Sequence, residues 1–393
     1  MIPALLLSQT PRRQAKPVVR EVVYKAGENG CDTYRIPAVV VTKSGVLLAF
    51  AEARWHSSSD TGDIDLVVKR STDGGRTWSE SITVWDDGGN VCGNPSPVVD
   101  RETGRVILLS TWNRGDDTES AIHGRTSHDT RRVFMQTSDD EGLTWSPARE
   151  ITAQVKDPEW TWYATGPCHA IQLQGGRIVV PCNHGVYGMG KGAHENMTGG
   201  HLIYSDDLGQ TWHIGGDAGK GNEATCVELD NGDVLLNMRG ARPKDRSVFG
   251  YARMKAISSD KGETLGEVSY DRGLVEPVCN ASINNYSTDG VSGKCLIFSN
   301  PSDSTRRRNM CVHFSTDNGR SWRKAYTLTE GPAAYSDLLT MPDGNVAVLY
   351  ETGEDLPYEN ITFTVVPQKA FVSSIHSHPI NSLRGNEPGR CRE

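Results

Sequence analysis

One eight-residue pattern, Ser-x-Asp-x-Gly-x-Thr/Ser-Trp, restricts the fold of this chain more than any other feature. Four copies (STDGGRTW, SDDEGLTW, SDDLGQTW and STDNGRSW) begin at residues 71, 138, 205 and 315, and a degenerate copy, SSDKGETL, begins at 258. The Asp can accept hydrogen bonds from turn N–H groups, and the Gly supplies the positive φ of a hairpin turn. Each copy therefore predicts a hairpin whose Trp fixes it to its own unit. None of these roles needs a ligand, so the repeat predicts scaffold rather than chemistry.

The segments between the copies are typical of β-strands. Short apolar or alternating runs such as DIDLVVKRS, RVILLSTW and NVAVLYE are separated by Gly, Asp and Asn. The copies lie 53 to 67 residues apart, which is one four-stranded propeller blade with long loops. We therefore predict an all-β, six-bladed β-propeller of four-stranded antiparallel blades over residues 19–372. A poorly structured N-terminal extension (1–18) and a C-terminal tail (373–393) would flank it.

Composition excludes several classes of function. The formal net charge of −8 argues against a nucleic-acid partner, and no run of 18 apolar residues predicts a membrane span. The chain has no CxxC pair, no Gly-rich phosphate loop and no His/Cys ligand cluster, so we expect no cofactor and no metal. The apolar run near the N-terminus is too short for the core of a signal peptide, so no intact leader is visible. We expect a monomer.

Charged residues at the ends of apolar runs are the candidates for chemistry. Arg35 stands before the run IPAVVV, Arg239 ends DVLLNMR, and three consecutive arginines, 306–308, follow LIFSNPSDST. A single arginine at a strand end is usually solvated. Several arginines that converge on a propeller funnel would instead supply bidentate donors matched to a carboxylate.

A set of ordered motifs accompanies these arginines. It comprises YRIP at 34–37, an arginine with an aspartate six residues later (Arg54 and Asp60), NEATCVEL followed by Arg239, SNP followed by RRN, and AAYSDLL around Tyr335. The set runs from about residue 34 to 352 and resembles the exo-sialidase (neuraminidase) family. The hairpin repeat alone also occurs in unrelated propellers, whereas this ordered set is specific.

The resemblance implies a role for each matched residue. Three arginines, Arg35, Arg239 and Arg307, would clamp the substrate carboxylate, and Glu351 would orient the first of them. Arg306 and Arg308 stay alternatives to Arg307. The catalytic residues would be Asp60 as general acid/base, Tyr335 as nucleophile and Glu223 as its partner. The further substrate contacts would be Arg54 near the sugar's O4 hydroxyl, Tyr163 beside the glycerol and N-acetyl pockets, and Asn94, where some relatives have an acid.

The resemblance also implies a substrate and a reaction. A sialic acid carries a carboxylate on its anomeric carbon, so an anionic nucleophile would be repelled, whereas a tyrosine hydroxyl is neutral until it attacks. Its pKa of about 10 requires a neighbouring base. The implied activity is a retaining exo-α-sialidase with an acidic pH optimum, acting on sialylated glycans, and this substrate class favours a secreted or periplasmic enzyme. Two alternatives remain: a trans-sialidase, including the intramolecular type that releases an anhydro sugar, and a non-catalytic sialoglycan-binding propeller.

Overall fold

The computed structural model describes residues 14–187, 198–240, 252–287 and 295–371, and within these ranges the chain is almost entirely β. The strands are β1 (Val19–Lys25), β2 (Thr33–Val41), β3 (Leu47–Arg54), β4 (Ile64–Ser71), β5 (Ile82–Trp85), β6 (Val91–Val99), β7 (Val106–Asn113), β8 (Arg132–Ser138), β9 (Arg149–Glu150), β10 (Trp160–Thr165), β11 (Ile171–Gln172), β12 (Ile178–Val186), β13 (Thr198–Ser205), β14 (His213–Asp217), β15 (Ala224–Glu228), β16 (Val234–Met238), β17 (Ala252–Ser258), β18 (Ser269–Val275), β19 (Ser282–Tyr286), β20 (Cys295–Pro301), β21 (Arg308–Ser315), β22 (Arg323–Thr340), β23 (Val346–Thr352) and β24 (Asn360–Val366). The helices are α1 (Glu119–His123) and α2 (Thr152–Val155). No helix in the described ranges is long and apolar enough to cross a membrane. The all-β prediction is confirmed.

Two of the predicted segments fall largely outside these ranges. Residues 1–13 of the predicted extension and the predicted tail, 373–393, are not among the described residues. The described end of the extension lies against β22, where the Gln14 amide donates to the Thr327 carbonyl at 2.7 Å and the Tyr326 hydroxyl donates to the Ala15 carbonyl at 2.8 Å.

Antiparallel pairing follows chain order and divides the strands into six consecutive groups. Groups one to six are β2–β5, β6–β9, β10–β14, β15–β18, β19 to the first half of β22, and the second half of β22 to β24 with β1 added at the edge. Groups five and six form one sheet because β22 runs through both. Groups one and two are joined by a single parallel bridge between Ile64 and Val91.

The first strands of the groups lie close to one another at the centre. β2 contacts both β6 and β22, and β19 contacts both β15 and β22. The buried Asp337 carboxylate of β22 ties this centre together, because it accepts hydrogen bonds from the Val39 N–H at 2.8 Å, the His169 N–H at 3.0 Å and the Ser282 hydroxyl at 2.6 Å. Three groups and the segment after β10 therefore share one buried acceptor.

The hydrophobic core lies in layers between consecutive groups. Successive residues of β3 illustrate why, since both faces of this strand are buried. Leu47 and Ala49 belong to a cluster with Phe363 of group six, whereas Leu48 and Phe50 belong to a cluster with Leu108 of group two. Side chains alternate across a strand, so one uninterrupted apolar run supplies two neighbouring core layers.

The repeat occupies the turn between the last two strands of groups one to five. In the first copy the Asp73 carboxylate accepts hydrogen bonds from the Arg76 and Thr77 N–H groups, both at 3.0 Å, while the Gly75 N–H donates to the Ser71 hydroxyl at 2.8 Å. Gly75 has a φ of 87°. The predicted roles of the Asp and the Gly are thus present. Group six has no such turn, because its outer strand is β1 from the other end of the chain, which explains five copies for six groups.

The predicted attachment of the repeat to its own unit is wrong for the first two copies, whereas Trp322 of the last copy packs against Phe298 of its own group, with ring centroids 5.5 Å apart. Trp78 of group one packs edge-on against Phe363 of group six, with ring centroids 5.2 Å apart, and Trp145 of group two packs against Phe50 of group one at 5.7 Å. A Cβ on Gly75 would lie 2.1 Å from the Phe363 ring. In the first two copies the Trp therefore joins neighbouring groups. In the last copy the Trp322 ring packs within its own group, while its Nε1 donates to Asp271 of the preceding group at 2.8 Å. Sequence alone could not identify these partners.

Candidate active site

A cavity of about 200 Å³ opens at the centre of the strand groups. It is lined by Arg35, Ile36, Glu52, Arg54, Asp60, Val91, Asn94, Glu119, Arg131, Trp162, Ala164, Asn183, Asn222, Glu223, Arg239, Arg307 and Tyr335. Residues from all six groups, or from the loops beside them, contribute to it. The structure therefore brings together eight of the ten residues singled out from the sequence; Glu351 lies directly behind the wall, and Tyr163 does not line the cavity.

Glu351 of β23 fixes one wall of the cavity. Its fully buried carboxylate accepts from Arg35 Nε at 3.0 Å and Nη2 at 3.2 Å, and from the N–H groups of Ile36 at 2.9 Å and Tyr335 at 3.0 Å. Ile36 has a φ of 60°, a strained value for a β-branched residue. The strain comes with a β-bulge between Arg35 and Ala38 that turns the Ile36 N–H towards the carboxylate. One acid thus holds both Arg35 and the backbone of Tyr335.

Tyr335 and Glu223 form the centre of the site. The Tyr335 hydroxyl donates a short hydrogen bond to Glu223 Oε1, and the other carboxylate oxygen accepts from Arg239 Nη1 at 2.7 Å. Arg239 Nη1 also lies 3.1 Å from the Tyr335 hydroxyl. Burial raises the pKa of Tyr335 well above its ordinary value and the Glu223 carboxylate raises it further, while Arg239 and Arg307 lower it in part. The phenol is therefore protonated and its proton points at a carboxylate.

Arg307 is the residue of the 306–308 run that lines the cavity. It donates to the Tyr358 hydroxyl at 2.8 Å and to the Val278 carbonyl at 3.2 Å, and its guanidinium carbon lies 5.3 Å from the centre of the Tyr335 ring. Arg306 and Arg308 are exposed, and Arg308 donates instead to Asp303 at 2.7 Å. Of the three alternatives, the geometry therefore favours Arg307.

Asp60 lies in the loop after β3, at the mouth of the cavity. Its side chain is 66% exposed, and its carboxylate accepts from Arg54 Nη1 at 2.7 Å and lies 3.9 Å from Arg35 Nη1. Partial desolvation raises the pKa of Asp60, but Arg54 and Arg35 lower it by more, so its net shift is downward. Arg54 itself is buried and pairs with Glu52 at 2.6 Å. The position of Asp60 is thus set by the arginines around it.

Arg131 and Trp162 form the opposite wall, together with Asn94. The buried Arg131 guanidinium donates to the side-chain oxygens of Asn113 and Asn94, and its carbon lies 4.1 Å from the centre of the Trp162 ring. Burial lowers the pKa of Arg131 to about 10. Asn94 therefore serves as a neutral acceptor for a buried cation, a role that differs from the substrate contact predicted from the sequence.

Tyr163, which the sequence predicts beside the substrate, does not line the cavity. Its side chain is fully buried in the core, and its hydroxyl lies 3.0 Å from His201 Nε2. The residues on either side, Trp162 and Ala164, line the cavity instead. Successive side chains of a strand point to opposite faces, so a shift of one position exchanges core for cavity.

Sequence reasoning missed six polar or aromatic residues of the cavity wall, namely Glu52, Glu119, Arg131, Trp162, Asn183 and Asn222. Asn183 of β12 is distinctive, because neither its amide nitrogen nor its oxygen has a hydrogen-bond partner although both are buried. A signal existed for Glu52 alone, since an acid within the apolar run LLAFAEA is unusual for a buried strand. The others follow no pattern that separates them from exposed strand and loop residues.

One cluster of side chains that could hold a metal ion lies outside the cavity. Among the described residues, the ligand atoms of Asp116, Asp117 and His128 lie within 4.8 Å of one another. Asp117 already accepts hydrogen bonds from the N–H groups of His128 at 2.8 Å and Asp129 at 2.9 Å. None of the three ligand residues lines the cavity.

The cavity wall combines two chemical capacities. Arg35, Arg239 and Arg307 surround the Tyr335 ring, so their guanidiniums can bind one anionic group directly above the phenol. The Tyr335 hydroxyl, in hydrogen-bond contact with the Glu223 carboxylate, and the more exposed Asp60 carboxylate have the chemistry of a nucleophile, a base and a second acid. Nucleophile, base and anion-binding arginines within one cavity are the requirements for covalent catalysis on an anionic substrate.

Comparisons with known proteins agree on one family. A profile described as BNR repeat-like domain matches residues 45–348. The chain is 35% identical to a sialidase of Micromonospora viridifaciens over 85% of this chain and 52% of that protein, and 33% identical to an exo-alpha-sialidase of Aspergillus fumigatus over 73% and 69%. A solved structure titled Hadza microbial sialidase Hz136 matches with a TM-score of 0.77 and 33% identity, covering 89% of this chain and 69% of that one. The chain thus spans about half the length of the Micromonospora relative.

Proposed function

The chain belongs to the sialidase family, and from that premise we propose that it is a retaining exo-α-sialidase that hydrolyses terminal sialic acids from glycans through a covalent sialyl-tyrosine. The observation that carries the proposal is the contact between the Tyr335 hydroxyl and the Glu223 carboxylate within the group of three arginines. A sialoglycan-binding propeller without activity would need the arginines but not a tyrosine paired with a base.

Substrate binding would begin with the carboxylate on the anomeric carbon of the sugar. Arg35, Arg239 and Arg307 would bind it, with Arg35 held in its orientation by Glu351. Charge-assisted, bidentate contacts to a planar carboxylate are both strong and directional. Because the same arginines surround Tyr335, a carboxylate bound there would place the adjacent anomeric carbon above the phenol oxygen.

The first chemical step would form the bond between the Tyr335 oxygen and the anomeric carbon while the bond to the leaving oxygen breaks. The phenol proton would pass to Glu223, which already accepts its hydrogen bond. Asp60, at the exposed mouth, would give a proton to the leaving oxygen. A neutral phenol avoids the repulsion that a carboxylate nucleophile would meet beside the substrate carboxylate.

The second step would reverse these transfers. Asp60, now ionised, would take a proton from a water that attacks the anomeric carbon, and the bond to Tyr335 would break. Glu223 would return its proton to the phenolate. Two displacements at one carbon retain its configuration.

We also propose that the six strand groups are the six blades of a propeller that extends over residues 19–372, with the segments 1–18 and 373–393 outside it. The support is the antiparallel pairing in six consecutive groups, the contact between first strands at the centre, and the pairing of β1 with β24. A sialylated glycan as substrate, a monomeric state and a secreted or periplasmic location remain predictions.

A fluorogenic sialoside assay on the wild type and on Tyr335→Phe tests the function. We expect turnover by the wild type and a signal near the buffer level for the variant. Tyr204→Phe is the matched control, because Tyr204 lies outside the cavity, and it should keep full activity. Wild-type-like turnover by Tyr335→Phe, or an inactive wild type, would refute the mechanism.

The products distinguish hydrolysis from transfer. Mass spectrometry of a reaction on sialyllactose should show free sialic acid and lactose. An anhydro sugar, or a sialylated acceptor when a second glycan is added, would assign the chain to the trans-sialidase alternative instead.

A further inference from the structure

The loop that carries Asp60 is fixed by one guanidinium nitrogen. Arg54 Nη1 donates to the carbonyl of Ser58 at 2.7 Å and to that of Ser59 at 3.1 Å, and it pairs with the Asp60 carboxylate at 2.7 Å. Asp60 is 66% exposed, so burial contributes little to its position. Arg54 therefore determines where this carboxylate lies.

Glu52 holds the opposite side of the same guanidinium. Its Oε2 accepts from Arg54 Nη2 at 2.6 Å and from Nε at 3.1 Å, while its Oε1 accepts from the Asn94 N–H at 2.8 Å. Arg54 and Glu52 are both buried, at 2% and 3% exposure. A buried guanidinium needs a paired charge to be tolerated, and Glu52 provides it on the side away from the loop.

The same arrangement occurs a second time in the chain. Glu351 binds Arg35 and the N–H of Ile36, which has a φ of 60° and precedes a proline. Glu52 binds Arg54 and the N–H of Asn94, which has a φ of 53° and also precedes a proline. In both cases the glutamate lies on the second strand of one group and the left-handed residue on the first strand of the next. Both glutamates thus join an arginine to the N–H of a left-handed residue in the next group, although Arg54 lies on the strand of its glutamate and Arg35 on the strand of the left-handed residue.

Gly93 leaves the room that Glu52 needs. A Cβ at this position would lie 2.4 Å from Glu52 Oε1, closer than real contacts allow. Any side chain there would push the carboxylate away from the Asn94 N–H and from Arg54. Gly93, on the first strand of the neighbouring group, therefore also helps to position the Glu52 carboxylate.

We propose that Glu52 is a positioning residue for the reaction: by fixing Arg54 it holds Asp60 where it can protonate the leaving oxygen. The proposal rests on the function proposed above, in which Asp60 is the acid. Without Glu52, Arg54 can turn towards other acceptors, and residues 58–60 lose their contacts with Arg54 Nη1. Attack by Tyr335 needs neither residue, so the loss should fall on protonation of the leaving group.

Two substrates separate these effects. Sialyllactose has a poor leaving group that depends on an acid, whereas a 4-methylumbelliferyl sialoside has an activated leaving group that depends on it far less. For Glu52→Gln we expect kcat/KM on sialyllactose to fall by about 10- to 100-fold, part of the 10²–10⁴ that a general acid contributes. On the aryl sialoside the fall should be less than about threefold, because departure of that leaving group depends far less on an acid. Asp60→Asn should show the same selectivity more strongly.

Asp271→Asn is the matched control, because Asp271 is a buried acid that pairs with Lys255 at 3.0 Å outside the cavity. It should lower stability without any dependence on the leaving group. Equal losses on both substrates for Glu52→Gln, alongside a selective loss for Asp60→Asn, would overturn the positioning role and leave the proposed function intact. A non-selective loss for Asp60→Asn would instead refute the acid assignment.

Gly93→Ala provides a second variant if Glu52→Gln does not fold. It leaves every charge in place and displaces the Glu52 carboxylate by steric contact alone. A selective loss on sialyllactose supports the proposal. A folded variant with wild-type ratios of kcat/KM for the two substrates contradicts it.

Discussion

Glu351→Gln is the substitution that tests most directly whether Glu351 holds Arg35 and the backbone of Tyr335 in place. The carboxylate accepts four hydrogen bonds, two on each oxygen. An amide of the same shape can keep the pair on its oxygen, from Arg35 Nε and the Ile36 N–H. Its NH₂ group would then face two further donors, Arg35 Nη2 and the Tyr335 N–H. The variant therefore loses half of the bonds and all of the charge.

The expected loss of stability follows from these contacts. Removing one partner of a buried ion pair costs about 3–5 kcal/mol, and a buried N–H left without an acceptor costs about 1–3 kcal/mol. Since the retained pair offsets part of this, we expect the free energy of unfolding to fall by about 4 kcal/mol. Arg35 should also turn towards Asp60, 3.9 Å away. We therefore expect KM to rise about tenfold or more, equal to about 1.4 kcal/mol.

Urea unfolding measures the first quantity and steady-state kinetics on a sialoside measure the second. Asp271→Asn again serves as the control, and it should lower the unfolding midpoint without a change in KM. A stability loss below about 1 kcal/mol, which is within the usual range for a tolerated substitution, together with an unchanged KM would refute the anchoring role of Glu351.

Three further predictions concern pH and the repeat. In a pH series with sialyllactose, kcat should decline with rising pH at a higher pH than kcat/KM does. The substrate carboxylate would neutralise Arg35, one of the three arginines that lower the pKa of Asp60, so the acid stays protonated to a higher pH in the complex. Partial desolvation raises the pKa of Asp140, but hydrogen bonds from Thr144 and Ser138 lower it by more, from 3.8 to about 2. Its stabilisation is therefore present above pH 3.8 and disappears as the pH falls through about 2, so thermal melting should separate Asp140→Asn from the wild type at pH 6 and not at pH 2. Gly75→Ala should lower the free energy of unfolding by about 2 kcal/mol or more, because the added methyl group strains the left-handed backbone and collides with the Phe363 ring. Gly27→Ala is the control: with φ +82° and no atom within 4 Å of the added Cβ, it measures the backbone contribution alone.

Several features of the fold could be predicted because local chemistry determines them. The Asp and Gly of each repeat act within their own turn, so eight residues suffice to predict a hairpin. Apolar runs bounded by turn residues predicted strands such as β3 and β7. The ring partners of Trp78 and Trp145 were not predictable, because both rings cross to the preceding strand group, and no local pattern encodes which group lies beside them.

The candidate site likewise contains residues that the sequence predicts and residues that it does not. Arg35, Arg239 and Tyr335 could be placed together because motifs of fixed order name them, whereas Tyr163 was misplaced because a one-residue shift along β10 exchanges the two faces. Glu52 and Arg131 were missed for a different reason. Arg131 is a buried charge whose partners, Asn113 and Asn94, lie on other strands. Glu52 pairs with Arg54 on its own strand, but its contact with the Asn94 N–H belongs to the next strand group and is not encoded locally.

The pairing of these buried charges explains how an acidic chain could attract an anionic sugar. Arg35, Arg54 and Arg239 each have a carboxylate within 3.0 Å, so much of their positive charge is compensated. Among the ion pairs of the described residues, neither Arg307 nor Arg131 has an acidic partner: Arg307 contacts a tyrosine hydroxyl and a carbonyl, and Arg131 contacts side-chain amides and a threonine hydroxyl. Arg307 and Arg131 are therefore the cavity arginines without an ion-pair partner among the described residues. Arg307 lies beside Tyr335, where the proposed mechanism binds the substrate carboxylate. Removal of the Arg307 charge should accordingly weaken substrate association more than the loss of an arginine already paired with an acid.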